Sequence, residues 1–109
     1  AKVVDLIKDY QLPEDKKEPE QFTAGDINLI LARTFEKGKF DECIARLAPF
    51  RRENAPEEVR ARALLYTGIS YFKLGRRTVA RGYFVEPAVR RVFPDRANFW
   101  YKRSLERAP

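Results

Sequence analysis

Apolar residues recur every three or four positions through most of this 109-residue chain, and nowhere do they alternate long enough to suggest a strand. Val3, Leu6, Ile7 and Tyr10 predict an amphipathic helix over residues 1–12. The stretch "PEDKKEPE" follows, its charged residues bracketed by Pro13 and Pro19 with nothing to bury, so residues 13–22 read as a linker. Thr23, with Asp26 three positions on, has the form of a capping box. It opens a helix carrying Ile27, Ile30, Leu31, Thr34 and Phe35, which Gly38 breaks. A second helix starts near Asp41 and holds Cys43, Ile44, Leu47 and Phe50. "ENAPEE" opens a third: Asn54 as cap, Pro56 in the first turn, Glu57 and Glu58 complementing the dipole. That helix runs to Leu74, and Gly75 ends it. A fourth begins around Thr78 and meets Pro87, where a cost of about 3 kcal/mol for an interior proline predicts a kink or a restart. Pro94 stops the chain again and Asp95 caps a last helix, about 96–107, with Phe99, Trp100 and Leu105. The predicted fold is all-α.

Gly38 and Gly75 lie 37 residues apart, and their surroundings can be superposed. Five positions after each glycine comes a small residue, Cys43 or Ala80, and nine after comes a large apolar one, Leu47 or Phe84. Phe35 and Phe72 precede them by three, Ile27 and Leu64 by eleven. A helix–turn–helix unit therefore occurs twice, and units of this length suggest stacking. "LLYTGISYFKLGRRTVARGYF" resembles the tetratricopeptide repeat (TPR), with Gly68, Tyr71, Gly75, Ala80 and Phe84 at that family's spacing. "ILARTFEKGKFDECIARL" carries the turn signature "GKFDECI" but has Leu31 where the family prefers a small residue. Arg77 similarly stands where Phe40 supplies an aromatic ring. "RANFWYKRSLERA" is similar to the first helix of a further unit, Trp100 at the large position and Ser104 at the small one; the alternative register assigns Ala97 and Tyr101 to a second helix.

The resemblance implies a TPR-like domain over residues 23–109, with units at about 24–55 and 61–94, stacked as a short right-handed solenoid of antiparallel helices. Gly68 and Ala80 become the points where two axes approach most closely, and Gly75 the left-handed residue at a helix end. It also implies a noncatalytic protein-interaction module whose first helices line a concave groove for a segment of a partner protein or peptide. The groove positions are Asn28, Ala32, Phe35 and Glu36, then Arg62, Leu65, Tyr66, Ile69, Phe72 and Lys73, then Asn98, Tyr101 and Lys102. The subgroup that clamps a chaperone's terminal carboxylate is rejected, because Ala32 and Tyr66 occupy two of its clamp positions. The aromatic and aliphatic lining favours an apolar ligand surface. A competing occupant is the chain's own "VVDLIKDY" segment. Similar repeats recruit subunits in bacterial envelope lipoproteins and secretion components, so the compartment stays open.

Chemistry narrows the functions further. The chain has no histidine and one cysteine, which removes a zinc site, an internal disulfide and any His-activated nucleophile. Cys43 falls where the repeat wants a small buried residue and reads as a structural thiol. The carboxylate neighbours Asp41–Glu42 and Glu57–Glu58 point in different directions on a helix and suit helix starts. No catalytic, cofactor or metal residue is therefore expected. No apolar run approaches the ~20 residues of a membrane span. The net charge of +6 is uneven: residues 1–60 carry −2 and residues 61–109 carry +8, mostly arginine. This supports a second reading, nucleic-acid binding with Tyr83, Trp100 or Tyr101 stacking on bases, although no recognition motif accompanies the charge. Exposure of Phe99 or Trp100 on the last helix would favour self-association.

Overall fold

The computed structural model describes residues 17–106. The helix expected over residues 1–12 lies outside the described residues, as do 13–16 and 107–109. Six α-helices follow in order: α1 (Ala24–Arg33), α2 (Phe40–Leu47), α3 (Glu57–Lys73), α4 (Arg77–Phe84), α5 (Pro87–Val92) and α6 (Pro94–Leu105). Short 3₁₀ turns lie at Pro19–Gln21, Phe35–Lys37 and Ala48–Arg51, and no strand occurs among the described residues. The all-α prediction holds. None of the described helices is long and apolar enough to cross a membrane.

Local chemistry explains most boundaries. The Thr23 hydroxyl accepts from the Asp26 N–H at 3.3 Å while the Thr23 N–H donates to the Asp26 carboxylate at 2.9 Å, so the capping box forms in both directions. Lys17 adds an ion pair to Asp26 at 3.0 Å. α1 ends earlier than its apolar pattern suggests: Thr34 leaves helical geometry, while its N–H and its buried hydroxyl both donate to the Ile30 carbonyl, at 3.0 and 2.7 Å. Asn54 does not cap α3; its amide donates to Glu20 at 3.1 Å, and the helix starts directly after Pro56. Asp95 lies within the first turn of α6, whose first residue is Pro94. The supposed linker also ends sooner than its charge suggests. Pro19 is buried, and Phe22, 3% exposed, stacks on Phe50 with centroids 4.2 Å apart.

The two turns that the glycines predict have one hydrogen-bond pattern. Gly38 N–H donates to Phe35 and Lys39 N–H to Thr34, at 3.0 and 2.9 Å. Gly75 N–H donates to Phe72 and Arg76 N–H to Tyr71, both at 2.9 Å. Both are Schellman closures with a left-handed glycine, φ +74° at Gly38 and +82° at Gly75. Lys39 and Arg76 then start the next helices with nearly equal backbone angles, φ/ψ −89°/67° and −95°/68°.

α3 and α4 are antiparallel and make the most extensive helix contact in the molecule. A Cβ placed on Gly68 would lie 2.7 Å from Phe84 Cε1 and 2.9 Å from Tyr83 Cβ, so this crossing admits only hydrogen. Tyr83 and Phe84, one turn beyond Ala80, are thus the residues that press on Gly68; Ala80 is fully buried alongside. The chain breaks between Phe84 and Pro87 and resumes as α5, which continues along α3 toward its N-terminus. Arg91 meets Glu57 there at 2.7 Å. Arg51 ties three elements together, donating to the Ile44 carbonyl at 3.0 Å and the buried Thr67 hydroxyl at 2.9 Å, with its guanidinium 5.9 Å from the Tyr83 ring. One apolar cluster gathers around Phe22, Leu47 and Phe50; a second, around Leu65, Phe84 and Val89, lies between α3, α4, α5 and α6.

Candidate functional site

On α3, Arg62, Tyr66, Ile69 and Lys73 recur at spacings of four, three and four, which puts them on one stripe of the helix. The opposite side of α3 meets α4 through Gly68. The stripe is met from two directions. Phe35, held in the 3₁₀ turn after α1, sets its ring edge-on to Tyr66 at 5.3 Å and to Phe40 at 5.4 Å. From α6, Trp100 packs edge-on to Phe72 at 5.4 Å and to Phe99 at 5.3 Å, and stacks with Phe84 at 6.3 Å. Between these walls opens a cleft of about 310 Å³ lined by Phe35, Tyr66, Ile69, Lys73, Arg96 and Trp100.

The cleft has an apolar floor and a cationic rim. Ile69, 4% exposed, forms the base, and the half-buried rings of Phe35, Tyr66 and Trp100 form the sides. Lys73 and Arg96 are exposed. The Lys73 ammonium lies 5.8 Å from the Trp100 ring centroid. The guanidinium groups of Arg62 and Arg96 lie 5.4 and 5.7 Å from the Phe93 centroid. Arg62 Nε is buried and has no hydrogen-bond partner among the described residues. No carboxylate or thiol lines the cleft; its side chains bring shape, apolar surface, the Tyr66 phenol and positive charge. Among the described residues, no cluster of three His, Cys, Asp or Glu is placed to hold a metal ion, and Cys43 is fully buried. The chain matches no protein-family model, no curated protein and no solved structure.

Of the groove positions named from the sequence, Phe35, Tyr66, Ile69 and Lys73 come together at the cleft, and Arg62 extends their stripe. Leu65 does not: it is wholly buried in the second apolar cluster and offers no surface to a partner. Phe72 is half-buried behind the wall, with Trp100, Arg77 and Arg103 against its ring. Tyr101 belongs to the second cluster, its ring 5.8 Å from the Arg90 guanidinium. Asn28, Ala32, Glu36, Asn98 and Lys102 are exposed and lie outside the lining.

Arg96 and Trp100 are the lining residues that the sequence reading misses. The signal was present in two small residues seven apart, Ala97 and Ser104, which are 1% and 2% exposed and mark the buried face of α6. Once that face is assigned, Arg96 and Trp100 flank it and turn toward α3. The aromatic residues named for base stacking already have ring or cation partners within the fold. Tyr83 stacks on Tyr71 at 5.6 Å, and Trp100 has Phe84 stacked against it.

Proposed function

We propose that this chain is a noncatalytic protein-interaction module, built of two TPR-like helix–turn–helix units and the first helix of a third, that captures a segment of a partner protein in the cleft. The solenoid reading rests on the paired Schellman turns and on the order of packing: α2 against α3, and α4 against α6, with α5 as the broken continuation of α4. The single observation that carries the function is the open aromatic cleft on the α3 stripe, bounded by Phe35 from the preceding unit and Trp100 from the following helix. Exposed aromatic surface with a polar rim is the anatomy of a binding hot spot, whereas a self-sufficient core buries such rings.

Nucleic-acid binding is the weaker reading. Several arginines of the C-terminal half already have partners within the fold: Arg81 donates to the Ser104 carbonyl, Arg77 to the Glu106 carbonyl and Arg91 to Glu57. Trp100, the sole tryptophan, lines the cleft and serves as a built-in reporter. Proteins or peptides selected for binding to the folded chain should shift Trp100 emission, and Phe35→Ala should weaken them while leaving the circular dichroism unchanged. Binders that leave Trp100 emission unaltered and tolerate Phe35→Ala would place recognition elsewhere and end this assignment.

A further inference from the structure

Resting on the reading of the cleft as the partner site, we infer that its occupant is an acidic segment of another protein, with one bulky apolar side chain flanked on both sides by carboxylates. Arg51, Arg60 and Arg81 donate to backbone carbonyls, and Arg91 and Lys17 have carboxylate partners. Arg62, Lys73 and Arg96 make no hydrogen bond or ion pair among the described residues; their contacts are with aromatic rings. Lys73 and Arg96 line the cleft, Arg62 continues its stripe along α3, and no acidic residue lines it. Among the described residues these three positive charges thus lie beside aromatic rings without a carboxylate partner, and a carboxylate brought there gains more than it would in bulk water.

Geometry sets the spacing of the acidic groups. Arg62 and Lys73 are eleven residues apart on α3, about 16 Å along the axis at 1.5 Å per residue. Arg62 and Arg96 share Phe93 at one end, and Lys73 shares Trp100 at the other. Tyr66 and Ile69 lie between. An extended peptide rises about 3.3 Å per residue, so carboxylates about five residues apart reach both ends with the apolar anchor between them. The cleft volume of about 310 Å³ suits one large side chain. The chain's own residues 2–12 are a poorer match in charge, with Lys2 and Lys8 offsetting Asp5 and Asp9. A nucleic acid offers the negative charge, but it needs free ring faces. Trp100 has Phe84 stacked with it, and the Lys73 and Arg103 cations lie 5.8 and 5.9 Å from its centroid.

The test is selection from a random peptide library on the immobilised full chain, followed by titration of the selected peptides in solution with Trp100 emission as readout. The expected peptides carry an apolar residue between two acidic ones about five apart. Their affinity should fall about tenfold or more for the double variant Lys73→Glu, Arg96→Glu, whose exposed positions leave the melting curve unchanged. A lysine-flanked copy of the best peptide should then prefer the double variant to the wild type. Peptides that shift Trp100 but show no acidic enrichment, or bind the double variant equally, overturn the acidic rule and leave the cleft assignment standing. An empty selection, or binders silent at Trp100, overturns both. Displacement of the selected peptides by a uridylate oligomer, by a synthetic peptide of residues 2–12 or by a second copy of the chain, at concentrations no higher than their own, assigns the cleft to that occupant and overturns the proposal.

Discussion

The first helical pair, α1 with α2, and the second, α3 with α4, share their turn and little else. Both close with a left-handed glycine and the same two backbone hydrogen bonds. At the position 37 residues before Gly68 stands Leu31, itself nearly buried. Glycine lets α3 press against Tyr83 and Phe84, whereas the mutual contact of α1 and α2 is far smaller. The core beside the first pair is completed from outside it, by Phe22 ahead of α1 and Phe50 after α2, stacked on each other. A second exchange runs the other way. Phe40 sets its ring edge-on to Phe35 in the first pair, while its counterpart Arg77 lays its guanidinium 5.1 Å from the centroid of Phe72, the counterpart of Phe35. A glycine fixes how a chain turns; the side chain at the crossing decides how closely the two helices then pack.

The two clusters respond most strongly to loss of their buried large residues. Phe84→Ala should cost about 3–5 kcal/mol in chemical denaturation and shift Trp100 emission, since it empties the space against Gly68 and Trp100. Leu47→Ala, its counterpart, should destabilise by about 2–5 kcal/mol yet leave Trp100 emission alone, because Leu47 belongs to the first cluster. If both shift the tryptophan equally, the two clusters are not separate. Next in size is Arg51→Leu, expected to cost about 1–3 kcal/mol because buried Thr67 loses its partner. In a Thr67→Val background the same substitution should cost measurably less, and additivity in that double-mutant cycle would discount the hydrogen bond.

Gly68→Ala is the more delicate probe. Helix propensity favours alanine by about 1 kcal/mol, but overpacking against fully buried Phe84 opposes it by about 1–3 kcal/mol. A net loss on thermal unfolding is expected; a gain would mean the crossing has slack. The smallest effect belongs to Arg77. Replacement by alanine should cost about 0.5–1 kcal/mol, whereas Arg77→Phe, which copies the first pair's residue into the second, should stay within about 0.5 kcal/mol of wild type.

Periodicity, punctuation and the offset of 37 carried far: the helices, the glycine turns, the break at Pro87, the Thr23 capping box and the need for a small residue at Gly68 all follow from residues near in sequence. Four of the six lining residues followed as well, since Phe35, Tyr66, Ile69 and Lys73 come from two stretches whose helical phase is plain. Leu65 is buried instead of groove-facing because α5, continuing from α4 along α3, covers that face together with α4. Arg96 and Trp100 escaped because α6 is polar on most sides, and its rotation about its own axis follows from what it packs against. Phe22 looked like linker, and only the return of Phe50 from beyond α2 gives it a partner.

Backbone preferences are local, so the order of the six helices and the character of their turns are written into consecutive residues. The walls of a cleft are supplied by elements as much as 65 positions apart, from Phe35 to Trp100. Which ring faces outward, and which cation is left without a carboxylate, depends on how those distant elements settle against one another to bury the most apolar surface.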